Sequence, residues 1–139
     1  MCSSDLHVFV EEATRAGIRE ALKAYETDGL REKLARYHGD KTAAMFYRWY
    51  DDWLAPEFQE WSIEERLSSI RCPVLVIQGE EDEYGTVAQV ESIRNRVSGR
   101  MESFMIQACG HNPHHQARER VLREMARFIS GLQRSTQLK

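Results

Sequence analysis

The chain has 139 residues, of which 42% are hydrophobic and 29% charged, enough apolar material for one domain with a real core and the balance of an ordinary globular protein. A net charge of -3 exerts no long-range pull on nucleic acid or anionic membranes, which leaves small molecules or protein as partners. No apolar run approaches the length that spans a bilayer. The opening Met1-Cys2-Ser3-Ser4-Asp5 has neither the basic region nor the long apolar stretch of a secretory signal. Cys2, Cys72 and Cys109 are odd in number, which suits reduced thiols in a cytoplasmic compartment better than a disulfide framework.

Leu6-His7-Val8-Phe9-Val10 reads as the tail of a strand with no preceding sequence to pair with. Residues 10–70 then follow a helical period. Val10, Ala13, Gly17, Ile18, Ala21, Leu22 and Tyr25 fall at the three-and-four spacing that lays one apolar stripe along a helix. Leu30, Leu34 and Tyr37 share a face of a second helix that His38-Gly39 should stop. Asp40 is the expected N-cap of a third, 41–54, which ends before Pro56 because a residue preceding proline disfavours the α region. That helix is aromatic on two sides, with Phe46, Tyr47 and Tyr50 on one and Met45, Trp49 and Trp53 on another. Ser62-Ile63-Glu64-Glu65 has capping-box spacing and predicts a short helix through Leu67 and Ile70.

Beyond residue 70 the period changes. The apolar run 74–77, bounded by Pro73 and Gly79, predicts a strand buried on both faces. Thr86 opens a helix carrying Val90, Ile93 and Val97, and 101–106 reads as the next strand. Strand, helix and strand fit one βαβ unit, so the strands should be parallel neighbours whose following loops emerge at one edge. A last helix carries Ala117, Val121, Leu122, Met125, Phe128, Ile129 and Leu132 on one stripe, with a frayed polar tail expected from Gly131.

The two post-strand loops hold the chemistry. Asp82 follows the first strand and His111 the second, and the C-terminal edge of an open parallel sheet is where such folds build their sites. A serine hydroxyl attacks a carbonyl only when an imidazole takes its proton and a carboxylate holds that imidazole in one tautomer. His111 and Asp82 suit those two roles, in the chain order of a Ser…Asp…His triad. Gly110 permits the tight turn, and Pro113 stiffens its far side. Taken singly, each has a plainer explanation, an N-cap for the aspartate and a solvated ring for the histidine; together, at equivalent ends of adjacent strands, they favour catalysis. Glu80, Glu81 and Glu83 are rivals for the acid, or a solvated acidic rim. His111, His114 and His115 cluster without a second pair at metal-ligand spacing. Cys109 reads as a small buried hydrophobe at a strand end, and Ser3 and Ser4 lack the strand-turn-helix setting of a nucleophile. No Gly-x-Ser-x-Gly occurs among these residues.

The string 71–86, Arg-Cys-Pro-Val-Leu-Val-Ile-Gln-Gly-Glu-Glu-Asp-Glu-Tyr-Gly-Thr, followed by Gly110-His111-Asn112-Pro113-His114, resembles the end of the α/β-hydrolase fold. His7-Val8-Phe9-Val10-Glu11-Glu12 and Ala35-Arg36-Tyr37-His38-Gly39-Asp40 extend the resemblance to a bacterial group of capped small-molecule hydrolases. The resemblance implies an α/β architecture: a helical cap over 1–70, the C-terminal part of the hydrolase core (one parallel βαβ unit and a final helix) over 71–132, and a flexible tail over 133–139. It implies Asp82 as acid and His111 as base, no cofactor and no metal, and hydrolysis of an ester or related acyl or C–C bond in a small-molecule substrate. Trp49, Trp53, Phe46 and Tyr84 would line an apolar substrate pocket, or the tryptophans would pack the cap upon itself. The oxyanion loop and nucleophile strands of the family are absent from these residues. The segment is therefore expected to be inactive alone and to self-associate through an exposed sheet edge. The alternative is a non-catalytic helical interaction module derived from such a hydrolase.

Overall fold

A computed structural model describes residues 7–137; Cys2, Ser3, Ser4 and Leu6 lie outside them. The chain forms two compact units, one built from Phe9–Ser62 and the other from the sequence on either side of it.

The first unit is helical. α1, Glu12–Thr27, buries Gly17, Ile18, Ala21 and Tyr25 of the stripe that its apolar spacing predicts, with Thr14 beside them, while Ala13 and Leu22 are half-buried. It ends where Asp28 donates its N–H to the Ala24 carbonyl, and Gly29, at φ 75, turns the chain into α2, Leu30–His38. α2 stops at Gly39 as expected, yet buries none of its residues, and Tyr37 is 85% exposed. Asp40 caps nothing. It sits in a 3-10 turn, Gly39–Lys41, and α3 begins at Thr42, whose hydroxyl donates to the Gly39 carbonyl at 2.6 Å. α3, Thr42–Leu54, ends before Pro56 with Ala55 extended at ψ 137. Phe9 pairs with Ser62 in an antiparallel bridge, and Val10 donates to the Trp61 carbonyl at 3.2 Å. The segment expected to be an unpartnered strand tail thus forms a bridge closing the unit.

In the second unit, α4, Glu64–Leu67, starts without a side-chain cap. The expected capping box of Ser62 and Glu65 is not made: Ser62 is in the bridge with Phe9, and the N-cap position falls on Ile63. Glu64 Oε1 accepts from the Ser92 hydroxyl at 2.6 Å and lies 3.1 Å from Arg96. β1, Val74–Gly79, α5, Val87–Arg96, and β2, Met101–Ile106, form the predicted βαβ unit. The strands are parallel, with register running from Val74↔Met101 to Gly79↔Ile106. Thr86 caps α5 by accepting the Ala88 N–H at 3.2 Å. Both strands are half-buried except at Gly79 and Ile106, a departure from the fully buried expectation. Among the described residues the sheet has only these two strands, so each keeps one open edge.

α6, Pro113–Gln116, and α7, Arg118–Gln137, follow. Val121 from α7 joins Ile106 and Cys109 in a buried cluster, with Ile77, Phe104, Ala117 and Met125 packed against it. Phe128 is also buried, whereas Leu122 and Ile129 are about half exposed, so only part of the predicted stripe is covered. α7 does not fray at Gly131 as expected but continues to Gln137. One glycine in a long helix costs about 1 kcal/mol against alanine, too little to end it.

Candidate active site

Parallel pairing brings the loops after β1 and β2 together, and two backbone hydrogen bonds hold them there. The Glu80 N–H donates to the Ile106 carbonyl and the Glu81 N–H to the Cys109 carbonyl, each at 2.9 Å. Gly79 makes this approach possible. A Cβ on it would lie 2.1 Å from the Cys109 carbonyl oxygen and 2.3 Å from that of Gly110, so no other residue fits without displacing backbone. Ala108 turns the second loop in the left-handed region, at φ 53, a conformation that a non-glycine residue holds only under constraint from its surroundings.

Asp82 and His111 meet at the centre of these loops. His111 Nδ1 lies 2.8 Å from Asp82 Oδ1, with the two side chains only 12% and 9% exposed. The same oxygen accepts the backbone N–H groups of Tyr84 at 2.9 Å and Gly85 at 3.2 Å, so the carboxylate is fixed by its own loop before it meets the ring. Burial pushes the Asp82 carboxyl up, but the hydrogen bond from His111, the two backbone donors and the attraction of the imidazole outweigh it and hold the group below the ordinary carboxylate value. An ionised carboxylate can only accept. The proton of a neutral His111 therefore belongs on Nδ1, which leaves the Nε2 lone pair for proton transfer.

Around the pair stand residues that the sequence reading passed over. The Gln78 amide donates to the Gly85 carbonyl and lies 3.5 Å from Asp82 Oδ2; a polar side chain ending an apolar strand was the signal for it. Gln116 accepts the Gly110 N–H at 2.7 Å, and the His7 ring faces that of His111 with centroids 6.4 Å apart. Neither carries a local signal, since both arrive from other segments.

Of the residues expected to contact substrate, Tyr84 lies against His111, with ring centroids 4.6 Å apart. Phe46 is buried in the helical unit, stacked on Tyr25 at 3.9 Å and 5.7 Å from Trp49. Trp53 packs edge-on against Phe58 at 5.2 Å and Trp61 at 6.2 Å. The unit that carries Asp82 and His111 has its own cavity of about 550 Å³, which runs along β1 from Val74 to Gln78 and ends at the pair. Its walls are apolar, with Leu67, Val90, Ile93, Met125 and Phe128 among them.

Other chemistries find less support in the geometry. Cys109 is buried and donates toward Gln116 Oε1 at 3.3 Å. Burial pushes its thiol up, which disfavours the thiolate a nucleophile needs. The rings of His114 and His115 lie 4.2 Å apart, and among the described residues no group of three or more His, Cys, Asp or Glu side chains is placed to hold a metal ion. No helix among them is long and apolar enough to cross a membrane.

The sequence matches no family model and no curated protein. Among solved structures the chain is similar to a proline iminopeptidase from Mycobacterium smegmatis, with 21% identity and a TM-score of 0.51, over 88% of this chain and 48% of that one. A second similar structure, Est816, described as an N-acyl homoserine lactone degrading enzyme, has 28% identity and a TM-score of 0.45, over 82% of this chain and 53% of that one. The chain thus spans about half the length of each.

Proposed function

We propose, for a chain that has the fold of the C-terminal part of an α/β-hydrolase, that Asp82 and His111 are the acid and base of a serine-hydrolase triad. The nucleophile would come from a part of the fold outside these residues. The observation that carries the reading is the 2.8 Å contact between Asp82 Oδ1 and His111 Nδ1, made at the C-terminal ends of adjacent parallel strands. In this arrangement His111 Nε2 takes the proton of an attacking hydroxyl, and the neighbouring Asp82 carboxylate stabilises the imidazolium that forms. The proton then passes from Nε2 to the leaving group. The apolar cavity that ends at the pair supports an uncharged, largely apolar substrate, and an ester or related acyl or C–C bond is the matching reaction class. The cap role of the helical unit, with Trp49 and Trp53 at the substrate, and a cytoplasmic setting belong to the same proposal; Phe46, buried against Tyr25, is left to packing.

The test joins the chain in frame to upstream coding sequence and follows turnover of a p-nitrophenyl ester. Upstream sequence that supplies a Gly-x-Ser-x-Gly, with turnover abolished by His111→Ala, supports the proposal. Absence of such a motif, or turnover indifferent to His111→Ala, overturns it.

One observation favours a second reading, a non-catalytic interaction module: α2 buries none of its residues and leaves Tyr37 exposed, as a helix that docks on another protein would. A protein partner whose binding is lost with Tyr37→Ala, from a chain with no turnover in any context, would support that reading.

A further inference from the structure

We propose that Glu83 is a positioning residue for His111, holding the histidine's main chain while Asp82 holds its ring. The inference rests on reading His111 as the general base. Glu83 follows Asp82 directly, and the two successive carboxylates grip opposite ends of one residue. Asp82 Oδ1 lies 2.8 Å from the ring Nδ1, and Glu83 Oε2 accepts the backbone N–H of His111 at 3.2 Å. A backbone donor bonded to an ionised acceptor is roughly twice as strong as a neutral pair.

The surroundings are cut to admit this contact. A Cβ on Gly110 would lie 3.0 Å from Glu83 Oε2 and 3.4 Å from the Gln116 amide nitrogen, so a side chain there would crowd the carboxylate that reaches across. On the other side of Gly110, Gln116 Oε1 accepts its N–H at 2.7 Å. The turn that presents His111 is therefore tied at two successive amides, one to the acid's loop and one to α6. Tyr84 and His7 also face the ring, at centroid distances of 4.6 Å and 6.4 Å.

The tie has a chemical consequence. The imidazole can keep its Nδ1–H on Asp82 only while its own backbone stays in place, because a side chain with two soft torsions follows any shift of the main chain it hangs from. A geometry held by the loops themselves needs no reorganisation at the moment of proton transfer. The negative charge of Glu83 also favours the imidazolium over the neutral ring. An exposed glutamate in an acidic run, which reads from sequence as part of a solvated rim, thus becomes the side chain that ties the acid's loop to the amide of His111 itself.

The test uses the 139-residue chain and nitrogen-15 NMR of His111, assigned through His111→Ala. In Glu83→Ala, hydrogen exchange at the His111 amide should speed up about tenfold with loss of the charge-assisted bond, and the share of the Nδ1–H tautomer should fall. Glu83→Gln, which keeps an acceptor oxygen, should hold amide exchange within about twofold while lowering the midpoint of the imidazole titration. Because Glu83 is exposed, both variants should melt within about 3 °C of the parent. Should Glu83→Ala instead unfold, Glu83→Ser, too short to reach the His111 amide, is read by the same exchange and tautomer measurements. Unchanged amide exchange and tautomer in Glu83→Ala would overturn the proposal. Asp82→Asn separates that failure from failure of the site itself: a tautomer unaltered by this change would mean that Asp82 does not orient His111 at all.

Discussion

His111 Nδ1 and Asp82 Oδ1 are 2.8 Å apart although 29 positions separate them in sequence, and the oxygen that meets the ring is the one already bound by two backbone amides of its own loop. The carboxylate is thus placed before the histidine arrives. In the joined enzyme, His111→Ala should lower kcat by about three orders of magnitude or more, and Asp82→Asn by nearly as much, because an amide at that position can stabilise the wrong imidazole tautomer. Steady-state kinetics on the two variants checks this. Damage from Glu81→Gln with an innocuous Asp82→Asn would contradict the acid assignment.

The depressed Asp82 carboxyl has a signed consequence for stability. Its folded value lies below the ordinary 3.8, so the unfolded chain binds the proton more readily than the folded one. The increment it contributes is fully present above the ordinary value and is lost as pH falls through it toward the lower folded value. Urea midpoints of the parent should fall more steeply than those of Asp82→Asn between about pH 4 and pH 2. Identical acid limbs would show that the carboxyl is not depressed.

Gly79→Ala should be among the most damaging single changes in the sheet-bearing unit. The added methyl would meet the carbonyl oxygens of Cys109 and Gly110 at 2.1 and 2.3 Å, both of them backbone and unable to swing away. A cost of about 2–4 kcal/mol is expected on the scale of overpacked cores and strained backbone. Chemical denaturation measures it, and the His111–Asp82 tautomer signal should vanish along with it.

For the aromatic residues of the helical unit, stability and kinetics should part company. Phe46, 3% exposed and stacked on Tyr25, should cost about 3–5 kcal/mol when replaced by alanine. If Trp49 and Trp53 touch substrate, replacing either should shift KM or substrate preference with a smaller loss. Thermal melts beside Michaelis curves for the three variants decide between lining and packing. A loss at Trp53 as large as at Phe46, with kinetics unchanged, would assign it to the cluster with Phe58 and Trp61.

The 139 residues by themselves should self-associate. β1 is apolar from Val74 to Ile77 and pairs only with β2 among the described residues, an edge on which another strand can add. Size-exclusion chromatography at rising concentration should show species larger than a monomer, and p-nitrophenyl ester turnover should stay at background. A clean monomer with His111-dependent turnover would contradict both.

Sequence alone determined what short-range physics controls. The β1–α5–β2 succession, the Thr86 cap, the stop of α3 before Pro56 and the placing of Asp82 and His111 in corresponding loops follow from periodicity, turn chemistry and the parallel pairing that one crossover helix imposes. Tertiary structure decided whatever depends on a partner distant in the chain. Asp40 and Ser62 are good caps by type, but Thr42 reaches back to Gly39 and Ser62 is in the bridge with Phe9, 53 positions away in sequence, so neither caps its helix. The half-exposed strands reflect how many neighbours a sheet has, which no strand encodes in itself. Glu83 differs from Glu80 and Glu81 only by the amide it meets, and that amide belongs to His111 because Gly79 lets the second loop lie close enough for one carboxylate to span the gap.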